Sequence, residues 1–422
     1  MSEKPAVAGG RPQRATMLPY GRQAIDDEDV RAVSEALRGE FLTTGPTVER
    51  FEQAFARAVG AKHAVAASNG TVALHLMARA LGLGKGDRVV TTPMTFVATS
   101  NAALFCDATP DFADVDEETG LLAPSTARSR IGSKTKALFT VDYTGQPVDY
   151  AGFRDLADDK GIAFASDAAH ALGAEYKGRR VGAQADVTMF SLHPVKHITT
   201  GEGGMVTTDR EDLAERLRLL RNHGMDREVG RRLGRAYYYE IVELGYNYRL
   251  TDIQAALGLS QLKKLDGFVA RRERIAQTYT QAFRDLPGVT PPVVRPGVRH
   301  AWHLYMLRLN LDELDAKRDE VFAALRAENI GVHVHYVPVH LHPLYRERLG
   351  TRPGQFPAVE RFYERLLTLP LFPTMTDRDV QDVIEAVEKV VSWFAAKRTK
   401  GAVRPKATAR SRPRTSSSRR GS

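Results

Sequence analysis

The chain has 422 residues, 43% hydrophobic and 26% charged, with a net charge of +9. That length and apolar content allow a substantial core divided between two domains. The single Cys106 excludes an intramolecular disulfide and suits a reducing compartment. No apolar run reaches the roughly 20 residues of a membrane span, so no membrane partner is expected. The opening stretch MSEKPAVAGGRPQRAT has no secretory h-region, which points to a cytoplasmic protein. Ten Lys/Arg and no acid lie between 397 and 422, so the rest is close to neutral and a nucleic-acid partner is not expected.

Taken in chain order, apolar residues at helical spacing mark 26–37 and 48–59, and a short apolar strand over 64–67 ends in Ser68-Asn-Gly-Thr71. A helix over 72–81, a strand over 88–91, a helix over 96–104, strands over 109–114 and 135–141, a helix over 149–159 and a strand over 162–165 follow. This alternation predicts an α/β fold, with a mostly parallel sheet flanked by helices. A further strand over 186–191 leads to Lys196.

Past Gly201 the rhythm changes. Helices over 211–220 and 253–265 come next, the second continuing as a basic amphipathic stretch to Phe283. Strands over 304–309 and 332–336 and helices over 318–328 and 377–395 complete the chain. The reading is therefore a large domain over 17–265 and a smaller α+β domain over 266–396. Segments 1–16 and 397–422 are expected to be disordered, the latter because Ser, Pro and Arg cannot bury enough surface to repay ordering.

Open α/β sheets bind ligands at the carboxyl ends of their strands, and three predicted ends are rich in polar groups. At the first, Gly70 and Thr71 open a helix and can offer N–H groups and a hydroxyl to a phosphate, although a plain helix cap would look the same. The second ends in Asp167, which can hold a pyridinium nitrogen protonated or, alternatively, cap a following helix. The third ends in Ser191, five residues before Lys196, so a hydroxyl and an amine flank one pocket. A phosphate anchor, a pyridinium partner and a reactive lysine together specify pyridoxal 5′-phosphate.

The runs SNGTVALH, TTPMTFVATSNAAL, SDAAHALGAEYKGRRVG, FSLHPVKHITTGEGGMVTTD and GYNYRLTDIQAALGLSQL resemble the DegT/StrS-type sugar aminotransferases, the similarity extending from about Leu18 to Phe394. The resemblance implies a fold-type-I pyridoxal phosphate enzyme in which Lys196 carries the cofactor and then moves a proton, with Asp167 as pyridinium partner. It also implies that Phe96 stacks on the cofactor ring, that His170 lies near the ring oxygen, and that Gly70, Thr71 and Ser191 hold the phosphate. Asn247 matches a residue reaching the phosphate from a second subunit, which implies a homodimer with shared active sites. Arg249 is open to the same role or to a salt bridge.

Substrate contacts implied by the resemblance are Tyr20, Glu40, Phe41, Leu42 and Thr43 near the N-terminus, and His335, Tyr336, Val337 and Pro338 in a C-terminal loop. The reaction implied is transfer of an amino group from L-glutamate to C4 of a UDP-linked 4-keto-6-deoxy-N-acetylhexosamine. The alternatives are another nucleotide-sugar aminotransferase, of the UDP-4-amino-arabinose or dTDP-sugar type, a pyridoxal-dependent sugar deoxygenase, although such relatives carry His where this chain has Lys196, and a non-enzymatic pyridoxal-binding regulator. His333 and His335 fall on one face of the expected strand, but no Cys or carboxylate completes a ligand set, so no metal is expected.

Overall fold

A computed structural model describes residues 4–395. Its centre is a seven-stranded sheet of β1 (His63–Ala67), β2 (Arg88–Thr91), β3 (Thr109–Phe112), β4 (Thr135–Val141), β5 (Ala163–Asp167), β6 (Val187–Ser191) and β7 (Gly204–Thr208), in the order β1-β7-β6-β5-β4-β2-β3. All neighbours from β6 to β3 run parallel, and β7 lies antiparallel between β1 and β6. Six strands thus share one direction, and their carboxyl ends share one edge. The strands are almost wholly buried because helices cover both faces, as expected for a parallel sheet.

Two of the sheet's helices position the functional edge. Helix Gly70–Ala80 follows β1 directly, with Asn69 as its cap: the Asn69 side chain accepts from Val72 N–H at 3.0 Å. Helix Val97–Leu104 follows β2, and Phe96 stands at its start.

A second apolar cluster gathers Ile275, Tyr279 and Phe283, the three-stranded sheet Val289–Thr290, Tyr305–Leu309 and Leu366–Leu369, and helices Arg318–Ala327 and Asp377–Phe394. Helix Leu265–Phe283 joins the two clusters without a linker, since Leu265 and Val269 pack with the large sheet's core and Ile275 to Phe283 with the smaller one. Among the described residues no helix is long and apolar enough to cross a membrane.

The structure departs from the sequence-based expectations in places. Residues 4–16, expected to be disordered, are held against the smaller cluster. The fully buried Glu328 carboxylate accepts from Ala6 N–H at 2.6 Å and Gln13 N–H at 2.8 Å, and Arg14 pairs with Asp379 at 2.8 Å. Main-chain donors seeking a buried acid leave no signature in composition. The expected disorder over 397–422 lies outside the described residues. The strand expected over 332–336 does not form. His333 makes one bridge to Thr368, and then Val334 N–H turns back to the His333 imidazole at 2.8 Å, which ends the ladder. The segment instead runs irregularly into the cleft described next.

Candidate active site

Five of the parallel strands end around one cavity of about 570 Å³. Asn69, Gly70 and Thr71 follow β1, Thr95 and Phe96 follow β2, Val141 closes β4, Asp167 closes β5, and Ser191 and Lys196 follow β6. Tyr20, His335 and Tyr336 form the opposite wall. The local reason is topological: each strand ends at the same edge, so each places its next polar residue there.

Asp167 sits at the bottom, 5% exposed. Its carboxylate accepts from the Thr99 hydroxyl at 2.6 Å and from Ala169 N–H at 3.0 Å. Burial pushes its pKa upward, against the pull of those two donors and of Lys196. No helix follows Asp167, so its alternative reading as a cap does not hold. Lys196 is half-buried and lines the cavity, and burial lowers its pKa to about 7, with Asp167 opposing the shift and Arg272 adding to it. A lysine in that range is substantially neutral near pH 7 and therefore nucleophilic.

His170 is buried between two polar neighbours, accepting from Thr144 N–H at 3.3 Å through Nδ1 and exchanging a hydrogen bond with the Tyr336 hydroxyl at 3.2 Å through Nε2. Burial first, then Lys196, holds it well below the usual histidine range, so it is neutral. Phe96 is 56% exposed and lies over the cavity, its ring 5.8 Å from that of Tyr336. An aromatic face left so open beside a polar pocket is suited to a planar ligand.

The phosphate end fits as well. Gly70 and Thr71 N–H groups, in the first turn of their helix, have no acceptor among the described residues. The Ser191 hydroxyl lies beside them, and a Cβ on Gly70 would come within 3.1 Å of the Ser191 Cβ and Oγ. Two free donors, a hydroxyl and a helix N-terminus make an anion cradle that any larger residue at 70 would crowd. Asn69 caps the same helix, so the cap reading of this turn holds, and the cap leaves the Gly70 and Thr71 N–H groups free for an anion.

Other sequence-derived candidates lie elsewhere. Glu40, Phe41, Leu42 and Thr43 do not line this chain's cavity; Phe41 and Leu42 are 46% and 47% exposed, and Thr43 bridges Thr251. Asn247 bridges Asn222, and Arg249 donates to Asn222 Oδ1 at 2.7 Å rather than pairing with an acid. Val337 faces solvent, and Pro338 is buried beside the site without lining it. Among the described residues no cluster of His, Cys, Asp or Glu could hold a metal. Sequence reasoning missed Thr99, which anchors Asp167, and His303, whose Nε2 lies 3.3 Å from Lys196 Nζ.

A parallel sheet whose strand ends bring together a buried carboxylate, an enclosed amine of lowered pKa and an anion cradle is the scaffold of a pyridoxal phosphate-dependent aminotransferase. The chain belongs to the DegT/DnrJ/EryC1/StrS aminotransferase family, whose model matches residues 23–388. It is 44% identical over 382 residues to the spore coat polysaccharide biosynthesis protein SpsC of Bacillus subtilis, covering 90% of this chain and 98% of that one. Among solved structures it resembles Helicobacter pylori PseC, an aminotransferase involved in the biosynthesis of pseudoaminic acid. The two are 33% identical with a TM-score of 0.85 over 90% of this chain and 100% of PseC. Spr1654 of Streptococcus pneumoniae, 29% identical and covering 89% of this chain and 99% of its own, has been solved in PLP- and PMP-forms, with TM-scores of 0.83 and 0.84.

Proposed function

We propose that this aminotransferase takes the amino group of L-glutamate and places it on C4 of a UDP-linked 4-keto-6-deoxy-N-acetylhexosamine. The product is then a UDP-4-amino-4,6-dideoxy sugar of the kind used for pseudaminic acid. The observation that carries the amino-transfer chemistry is that Lys196 and the Thr99-anchored Asp167 line one cavity. The likeness to PseC over its whole length supports the sugar. The motifs MLPYGRQ, FLTTGP, LRNHGM and IGVHVHYVPVHLHPLY point to the same subgroup, the UDP-4-amino-4,6-dideoxy-N-acetyl-β-L-altrosamine transaminases.

Pyridoxal phosphate, when bound, supplies the electron sink for amino transfer. The chain's own residues do the rest. Gly70, Thr71 and Ser191 would hold the phosphate, Asp167 would partner the ring nitrogen and Phe96 would cover the ring. Lys196 would carry the cofactor and, as a free amine, would move the proton at the reacting carbon as a general base, burial lowering its pKa to about 7 in the cofactor-free protein. Neutral His170 and the Tyr336 hydroxyl form a hydrogen-bonded pair in the cavity wall, and His170 would be the neighbour of the cofactor's ring oxygen. Tyr20 and His335 wall the cavity on the substrate side, their rings 5.0 Å apart.

The site is completed in a homodimer. Residues Val30, Leu37, Phe41 and Leu42 are all exposed around helix Asp27–Arg38 and the turn after it, an apolar face that a second copy would cover. Asn247 and Glu40–Thr43 then serve the partner's cavity rather than their own.

The 44% identity to SpsC favours a second reading, in which the sugar is another nucleotide-linked ketone. One experiment separates them. The enzyme is incubated with glutamate and a panel of UDP- and dTDP-linked 4-keto sugars, and the product's mass and stereochemistry are determined. Amination of the UDP-linked acetamido sugar is the expected result; turnover of only other sugars favours the second reading.

A further inference from the structure

Two buried polar side chains below Lys196 have had no role so far. His303 is 5% exposed, with Nε2 3.3 Å from Lys196 Nζ and Nδ1 lacking any partner among the described residues. Arg272 is 1% exposed and meets no acid among the described residues. Its Nη1 donates to Leu371 O at 2.8 Å, Trp302 O at 3.3 Å and His303 O at 3.4 Å. Burying a guanidinium against neutral carbonyls is costly, and an apolar side chain of similar size would avoid that cost. The geometry shows what is gained in return.

The segment carrying His303 is gripped from two sides. On one side, Ala301 N–H donates to Gly145 O at 2.9 Å and Leu304 N–H to Thr144 O at 3.1 Å. Gly145 has φ +105°, and a Cβ there would lie 2.9 Å from Trp302 N, so only glycine allows this approach. On the other side stands Arg272. Between them Trp302 takes φ +53°, an unfavourable value for a residue with a side chain, and this bend turns His303 towards Lys196. The same Arg272 holds Leu371 O, while Leu371 N–H holds Tyr20 O at 3.0 Å, so one guanidinium orders the floor and the Tyr20 wall together.

We propose that His303 is a positioning residue that fixes the Lys196 amine at the bottom of the cavity, and that Arg272 is the brace that places His303. The inference rests on Lys196 being the cofactor-bearing lysine. His303 does not act as a base. Burial, then Lys196, His170, His197 and Arg272, hold its pKa well below the usual histidine range, so it stays neutral and only exchanges a hydrogen bond with the amine. The charged and titratable groups around Lys196 are Asp167 from β5, His170 beyond it, His303 and Arg272 below, His197 beside it, His335 and Tyr336 on the facing loop, and His193 and Glu202 at the mouth.

Two readouts on the purified full chain test this. In the cofactor-free protein, the rate of Lys196 acylation is followed against pH by peptide mass spectrometry. Arg272→Met removes a positive neighbour and shifts the midpoint upward, whereas Arg272→Lys keeps the charge and the midpoint. In the second readout, pyridoxal phosphate is added and the visible band is timed. His303→Leu slows its appearance about tenfold, the scale of one lost hydrogen bond, and His303→Gln restores most of the rate. Circular dichroism checks that each variant folds, and the His303 pair decides the matter if Arg272→Met does not. A wild-type rate in His303→Leu, or an unmoved midpoint in folded Arg272→Met, overturns the proposal. A Lys196→Ala protein that still forms the band overturns the reading of the site itself, which is a different outcome.

Discussion

Lys196 couples the site to the stability of the fold. Its pKa is about 7 in the folded cofactor-free protein, against 10.5 for a free lysine. Between those values the unfolded chain binds the extra proton and the folded one does not, so stability rises with pH across that window and falls as pH drops towards 7. Urea unfolding of cofactor-free protein at a series of pH values should show this rise, and Lys196→Met should flatten it. An equal slope in the variant would mean that the amine is not desolvated. Lys196, Asp167 and Ser191 were legible in the sequence because each follows an apolar strand whose end predicts a ligand edge. His303 was not, since it lies 107 residues from Lys196 and approaches through a bend that only the folded main chain reveals.

At the scale of elements, the termini of helices carry much of the legible information. Helix Asp377–Phe394 begins with a reciprocal cap, in which the Thr376 hydroxyl accepts from Asp379 N–H at 3.1 Å and the Asp379 carboxylate accepts from Thr376 N–H at 2.9 Å. Thr376→Ala should cost about 1 kcal/mol, measured by denaturant unfolding, with unchanged turnover because the cap lies outside the cavity. The alternation that predicted a parallel sheet also placed Arg88–Thr91 and Thr135–Val141 correctly. Strand β7 was not among the expected strands, because its five residues open on a glycine and carry only a short apolar run. Gly204 is glycine because β7 runs under the start of helix Gly70–Ala80, where a Cβ would lie 2.5 Å from Asn69 O, whereas a Cβ on Gly203 would run into the Thr200 hydroxyl. The strand expected over 332–336 failed for the opposite reason: its alternating pattern is satisfied by a packed irregular segment, whose Tyr336 reaches the cavity.

At the scale of the molecule, the proposed homodimer gives a role to residues that the single chain leaves apart from the cavity. Neither Asn247 nor Glu40–Thr43 reaches the cavity of its own chain, and the apolar face at Leu37, Phe41 and Leu42 is open. If sites are shared, mixing inactive Lys196→Ala with inactive Asn247→Ala subunits should restore about a quarter of wild-type activity, because half the dimers are mixed and each has one complete site. No recovery after verified subunit exchange would place Asn247 outside the partner's site. The ordered 4–16 segment, tied by Glu328 to the smaller cluster, could not be read from composition, since its fixing groups are main-chain N–H donors. The central claim, that Lys196 bears the cofactor, is tested most directly by borohydride reduction of the holoenzyme followed by peptide mass spectrometry. The pyridoxyl group is expected on the peptide containing Lys196 and on no other lysine; a label elsewhere, or none, would show that Lys196 does not bear the cofactor.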